Sequence, residues 1–97
     1  MPSAYIIANV RVTNPEQYEE YRRLSSHAMH THEAEICVRG GASETLEGDW
    51  APERIVVLKF PSLQAARDFN ASTEYGNARA ARQGAAIMQM ILVEGAD

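Results

Sequence analysis

Apolar and polar residues alternate from Ala4 to Thr13 (AYIIANVRVT), which predicts a strand with Ile6, Ala8, Val10 and Val12 on one face. The other face, Tyr5, Ile7, Asn9 and Arg11, is mixed. A helix start follows at once. Asn14 is a cap, Pro15 fits the first helical position, and Gln17 stands where a capping box places Glu or Gln. Tyr18, Tyr21, Ser25, Ala28 and His32 then recur at steps of three and four, one face of a helix of about four or five turns. AEICVRGG reads as a second strand, with Ile36 and Val38 opposed to Cys37 and Arg39. RIVVLKF, Arg54 to Phe60, is the clearest strand in the chain. Ser62 caps a second helix, which STEYGNARAARQG extends or repeats until Gly84 stops it, and AAIMQMILVEG supplies the last strand.

Strand, helix, strand, strand, helix, strand over residues 1–97 is the order of a single α+β domain, a ferredoxin-like βαββαβ sandwich with an antiparallel sheet. In such a sandwich the helices cover one sheet face. The bare face would carry Tyr5, Ile7, Asn9 and Arg11 or their alternates, with Ile55, Val57, Lys59, Ile87, Gln89 and Ile91. Too many of these are apolar to face water, so a second copy is expected there, making a homodimer.

Composition narrows the function classes. Ninety-seven residues leave no room for a second core, and a chain this short buries only roughly 60–65% of its unfolded surface, so a partner would help. Thirteen acids against nine bases give a net charge of −4, which opposes binding to nucleic acid through a basic face. No apolar run approaches the ~20 residues of a membrane span, and Asn9 and Arg11 break the opening run too early for a signal peptide. One cysteine cannot form an internal disulfide, which fits a reducing cytoplasm.

From His32 to Ser62 the sequence HEAEICVRGGASETLEGDWAPERIVVLKFPS, together with NPEQYEEY before it and STEYGNARAAR after it, resembles the domain-of-unknown-function 1330 family of the dimeric α/β-barrel superfamily. The resemblance implies a ferredoxin-like protomer that dimerises through its sheets, with no established activity. Superfamily relatives include small monooxygenases, lactone isomerases and dehalogenase-like proteins, and fold kinship does not select among them. The family's recurrent polar positions fall here on His32, Arg39, Glu47, Trp50, Arg54, Tyr75 and Arg79. Two departures stand out: Glu33 and Ala34 replace the usual pair of glycines after His32, and Lys59 stands where relatives often carry a glutamate.

Among these residues His32 and Arg39 are the catalytic candidates. Imidazole can serve as a general acid or base, although a histidine ending a helix can equally cap its carbonyls. Arg39, Glu47, Trp50, Arg54, Tyr75 and Arg79 are the ligand-binding candidates. Arginine suits two-point recognition of a carboxylate, and the competing reading is ion pairing with Glu44, Glu47, Asp49 or Glu53 nearby. Because a loop joins two adjacent strands, Arg39 and Arg54 should meet at one end of the sheet, with Glu47 and Asp49 neutralising one of them. His27 and His30 lie one turn apart, but His32 and Glu20 cannot converge with them, so no metal site is expected. Gly40-Gly41 fits no phosphate-binding loop, and no cofactor is implied. Three readings remain: a cofactor-independent enzyme using His32, Arg39 and Arg54; a binder of a small organic acid; and a structural or partner-binding dimeric module.

Overall fold

The computed structural model describes residues 2–97. Four strands form one antiparallel sheet in the order β2-β3-β1-β4: β1 Ala4–Val12, β2 Glu35–Arg39, β3 Ile55–Phe60 and β4 Ala86–Glu94. Helices α1 (Pro15–Thr31), α2 (Leu63–Ala71) and α3 (Thr73–Ala81) complete the expected βαββαβ order. The second helical stretch repeats and does not simply extend. Ser72 ends α2, and its side chain accepts from the Tyr75 amide to start α3.

Local chemistry sets the helix starts. Asn14 Oδ1 accepts from the Gln17 amide at 3.1 Å, as expected of the cap. The Gln17 side chain does not close a capping box. Its Nε2 donates instead to the Ala81 and Gln83 carbonyls at 3.1 and 2.8 Å, tying the first turn of α1 to the end of α3. At the other end of α1, Glu33 takes φ 55, a left-handed conformation that disfavours any side chain with a Cβ.

The core lies between the sheet and the helices. Ile6, Ala8 and Val10 of β1, Leu58 and Phe60 of β3, and Tyr18, Tyr21, Ala28 and Met29 of α1 are buried in it with Phe69 and Tyr75. Met88, Met90 and Leu92 of β4 pack against its margin. Thus the even-numbered positions of β1, β3 and β4 face the helices. Tyr5, Ile7, Asn9, Ile55, Val57, Ile87, Gln89 and Ile91 lie on the bare face.

One strand departs from the expected alternation. Glu35 pairs with Lys59 and Ile36 with Leu58, but Val38 pairs with Val57 and Arg39 with Val56. Cys37 is therefore the extra residue of a β-bulge, and Ile36 and Val38 lie on opposite faces. Directly paired residues share a face, so the bulge turns Arg39 to the helix side with Val56. A regular strand would have placed Arg39 opposite Ile55, on the bare face.

Candidate functional site

Between α1 and the sheet a cavity of about 30 Å³ interrupts the core. Its floor is apolar, from Ile6, Ala8, Val56, Leu58, Met88 and Met90, and its polar wall consists of Tyr18, Tyr21, Arg22, Ser25, Arg39, Arg54 and Tyr75. A cavity of this size holds about two waters, or the head group of a small molecule. Tyr18, Arg22 and Arg54 also line an open surface groove of about 270 Å³ beside Val12, Pro15 and Glu19. Head-sized space thus adjoins body-sized space.

The two arginines that bracket the β2–β3 loop meet here. Gly40, in a left-handed conformation at φ 73, donates its amide to the Ile55 carbonyl at 2.8 Å. Its missing side chain makes room for Arg54: a methyl carbon on Gly40 would lie 2.6 Å from the Arg54 Cζ. The Arg54 Nε is buried with no hydrogen-bond partner. Arg39 donates to the Ser26 hydroxyl at 2.7 Å. Neither arginine forms an ion pair among the described residues, where the pairs are Arg11–Glu53, Arg22–Glu19, Arg23–Glu20 and His32–Glu74. The expected neutralisation by Glu47 or Asp49 does not occur, because both stay in the exposed loop while the guanidiniums turn to the helix side. Of the wall, only Arg22 has an acidic partner.

In the same cavity lining, the Tyr21 and Tyr75 hydroxyls are 2.8 Å apart. Their other neighbours are sulfurs: Met88 Sδ at 3.9 Å from each and Met90 Sδ at 3.7 Å from Tyr75. Burial, followed by the neighbouring Tyr75, raises the Tyr21 phenol well above its ordinary value, so it stays protonated, and either hydroxyl can be the donor in the bond between them. Tyr75 is further fixed by Phe69, with ring centroids 4.8 Å apart, and by Arg79, whose Cζ lies 4.9 Å from its ring centroid.

Arg39, Arg54 and Tyr75 therefore share one cavity, and four other candidates lie elsewhere. His32 caps α1 through its backbone amide, which donates to the Ala28 carbonyl at 3.1 Å, and its Nε2 is 2.9 Å from Glu74 Oε1. It joins α1 to the start of α3, away from the cavity. Arg79 donates to the carbonyl and side-chain oxygens of Asn70 at 3.0 and 2.9 Å, linking α3 to α2. Glu47 is exposed in the loop. Trp50 borders a shallow groove on the bare sheet face with Ile7, Ile55 and Ile91. Arg22 was not singled out from sequence, because nothing distinguishes it there from Arg23, which pairs with Glu20 on the surface. The available signal is its spacing: Tyr18, Arg22, Ser25 and Met29 form a single helical stripe.

The family model for the domain of unknown function DUF1330 matches residues 3–96. The chain belongs to this family. No curated protein matches it. The DUF1330 chain is similar in structure to a protein of unknown function from Rhodopseudomonas palustris, at 20% identity and a TM-score of 0.74, covering 99% of this chain and 84% of that one. It is also similar to SnoaB, a cofactor-independent oxygenase from Streptomyces nogalater, at 12% identity and a TM-score of 0.63, covering 100% and 96%. A third similar structure is a dimeric protein of unknown function with a ferredoxin-like fold from Bacteroides fragilis, at 13% identity and a TM-score of 0.53, covering 95% and 94%. At these identities the likeness establishes a ferredoxin-like fold for this DUF1330 protein and leaves its chemistry to the site.

Proposed function

We propose that the protein binds a small anionic organic molecule, with its carboxylate in the cavity and its body in the adjoining groove. The observation that carries this is the pair Arg39 and Arg54, two guanidiniums without acidic partners at the wall of an apolar cavity. A partly buried cation is costly without a counter-charge, and a ligand carboxylate supplies both the charge and two acceptor oxygens. Among the described residues no carboxylate or imidazole lines the cavity, so the head of the ligand meets donors there, while Glu19 stands in the groove paired with Arg22 at 3.2 Å. Donors alone suit binding, or stabilisation of an oxyanion developing on a substrate. The fold shared with a cofactor-independent oxygenase makes an oxygenase of that kind the second reading, to be sought as oxygen uptake with bound acids.

Carboxylates should raise the thermal midpoint of the wild-type protein, since a ligand at 100 times its Kd adds about 2.7 kcal/mol. Arg54→Met keeps the apolar stem and removes the charge and the orphaned Nε, so its own stability should hold or rise while the carboxylate effect disappears. Absence of any carboxylate effect on the wild type would sink the proposal.

A second copy of the chain is proposed to cover the bare sheet face. What supports this is the exposure there of Ile87, Ile91 and Val93 at 59, 62 and 43%, and of Trp50 at 64%. A similar structure is described as dimeric.

A further inference from the structure

We infer that the cavity selects 2-oxo acids over simple carboxylic acids; this rests on the carboxylate-binding reading above. A count of protons leads there. Tyr21 and Tyr75 carry two hydroxyl protons, and the bond between them at 2.8 Å consumes one. The other has only the thioether sulfurs of Met88 and Met90, at 3.7–3.9 Å, which are weak acceptors. Both tyrosines are almost fully buried, at 5 and 2% exposure, so water outside the cavity cannot satisfy that proton.

Arg54 Nε is a second buried donor without a partner on the same wall. Arginine has no acceptor, and the Ser25 hydroxyl gives its proton to the Arg22 carbonyl at 3.3 Å, so the only acceptors this wall offers are hydroxyl lone pairs. The cavity therefore holds a surplus of donors and demands a ligand head rich in acceptors. A plain carboxylate held two-point by a guanidinium has both of its oxygens engaged there. A carbonyl oxygen on the next carbon answers the tyrosine proton.

Dimensions limit where that second oxygen can be. A sphere of about 30 Å³ is roughly 4 Å across, the range of positions open to an atom of water size. The keto oxygen and carboxylate oxygens of a 2-oxo acid fall within that span, and the rest of the molecule extends into the groove beside Arg22 and Arg54. A 2-hydroxy acid places an oxygen similarly but adds a donor to a wall already in surplus, and should rank below the 2-oxo acid.

Pyruvate and propionate share a three-carbon skeleton and differ only in the keto oxygen, so their Kd values, measured by ligand-observed NMR on the purified full chain, test the inference directly. Pyruvate should bind the wild type about 3- to 10-fold more tightly, as expected for one added hydrogen bond. The double variant Tyr21→Phe/Tyr75→Phe removes both partners of one buried bond, a change expected to be nearly neutral for folding. It should bind the two acids equally, with propionate unchanged. A single Phe variant is uninformative, because the surviving hydroxyl would keep a free proton. Equal binding by the wild type, or a pyruvate preference that survives in the double variant, overturns the inference and leaves carboxylate binding standing. Binding of neither acid overturns both.

Discussion

The two faces of the sheet are built from the same strands and nearly the same residue types, yet they invite different partners. On the helix side, Val10 is 1% exposed and Leu58 is 3% exposed, and a gap in the packing is walled by arginine and tyrosine donors. On the bare side, Ile91 is 62% exposed, and the shallow groove beneath Trp50 is bordered by Ile7, Ile55 and Ile91 with only Asn9 and Gln89 as polar groups. The covered face has lost its need for apolar partners and retains specific unmet donors, so it suits a small acceptor-rich ligand. The bare face has unmet apolar area and few donors, so it suits a broad, self-complementary apolar surface. Burial of apolar area and satisfaction of polar atoms are separate demands, and here the fold assigns one to each face.

The largest effect expected comes from placing a charge on each face in turn. Phe60→Asp puts a carboxylate into the closed core against the Phe69 ring, and should destabilise the protomer by about 3–5 kcal/mol or prevent folding. Ile91→Asp places the same group on the bare face, where the isolated protomer already leaves the side chain exposed. It should leave the fold intact, as read by circular dichroism, and convert a species of about twice 10.7 kDa into one of 10.7 kDa by light scattering. A wild-type chain that is already monomeric at micromolar concentration removes the second copy from the bare face and ends the comparison.

A smaller effect should come from two glycines of the β2–β3 loop. Gly40 and Gly48 both have positive φ, 73 and 84. Alanine at either costs about 1–2 kcal/mol of backbone strain. Only at Gly40 does the added carbon meet the Arg54 guanidinium; at Gly48 nothing lies within 4 Å. Gly40→Ala should therefore weaken carboxylate binding, and Gly48→Ala should lower the melting midpoint by a similar amount with binding unchanged. Equal binding by the two variants would mean that the position of Arg54 does not matter to the ligand.

The fold was largely legible because β1 and β4 alternate cleanly and the helix caps Asn14 and Ser62 carry their usual side chains. β2 misled for a physical reason. Ile-Cys-Val-Arg alternates as a regular strand does, and no glycine or proline marks a bulge. The irregularity arises only when β3, returning from a long loop, pairs with it. That unseen bulge decides the site, since it carries Arg39 to the helix side. The meeting of Arg39 and Arg54 was legible from their places at the two ends of one hairpin loop. The pairing of Tyr21 with Tyr75, across 54 residues, and the attachment of His32 to Glu74, across 42, leave no local trace. Spacing could identify His32 as the end of a helix, but not what its ring would hold.

That last contact gives the smallest effect, and one dependent on pH. A carboxylate only accepts, so His32 Nε2 must carry the proton in its 2.9 Å bond to Glu74. The Glu74 carboxyl is held below its ordinary value, first by this bond and then by a bond from its own backbone amide at the start of α3. In the unfolded chain the same group titrates near 4.3. Because the folded value is the lower one, the contact stabilises the protein fully above that pH, and the contribution fades as pH falls through the folded value. Both side chains are partly open to solvent, at 24 and 36% exposure, which keeps the effect small. Melting midpoints of wild type and Glu74→Gln, taken at one protein concentration, should differ above the unfolded value of about 4.3 and converge as pH falls below it through the folded value. A gap that stays constant across that window would show that Glu74 acts only as a neutral partner in packing α1 against α3, and that its charge contributes nothing to joining the two helices.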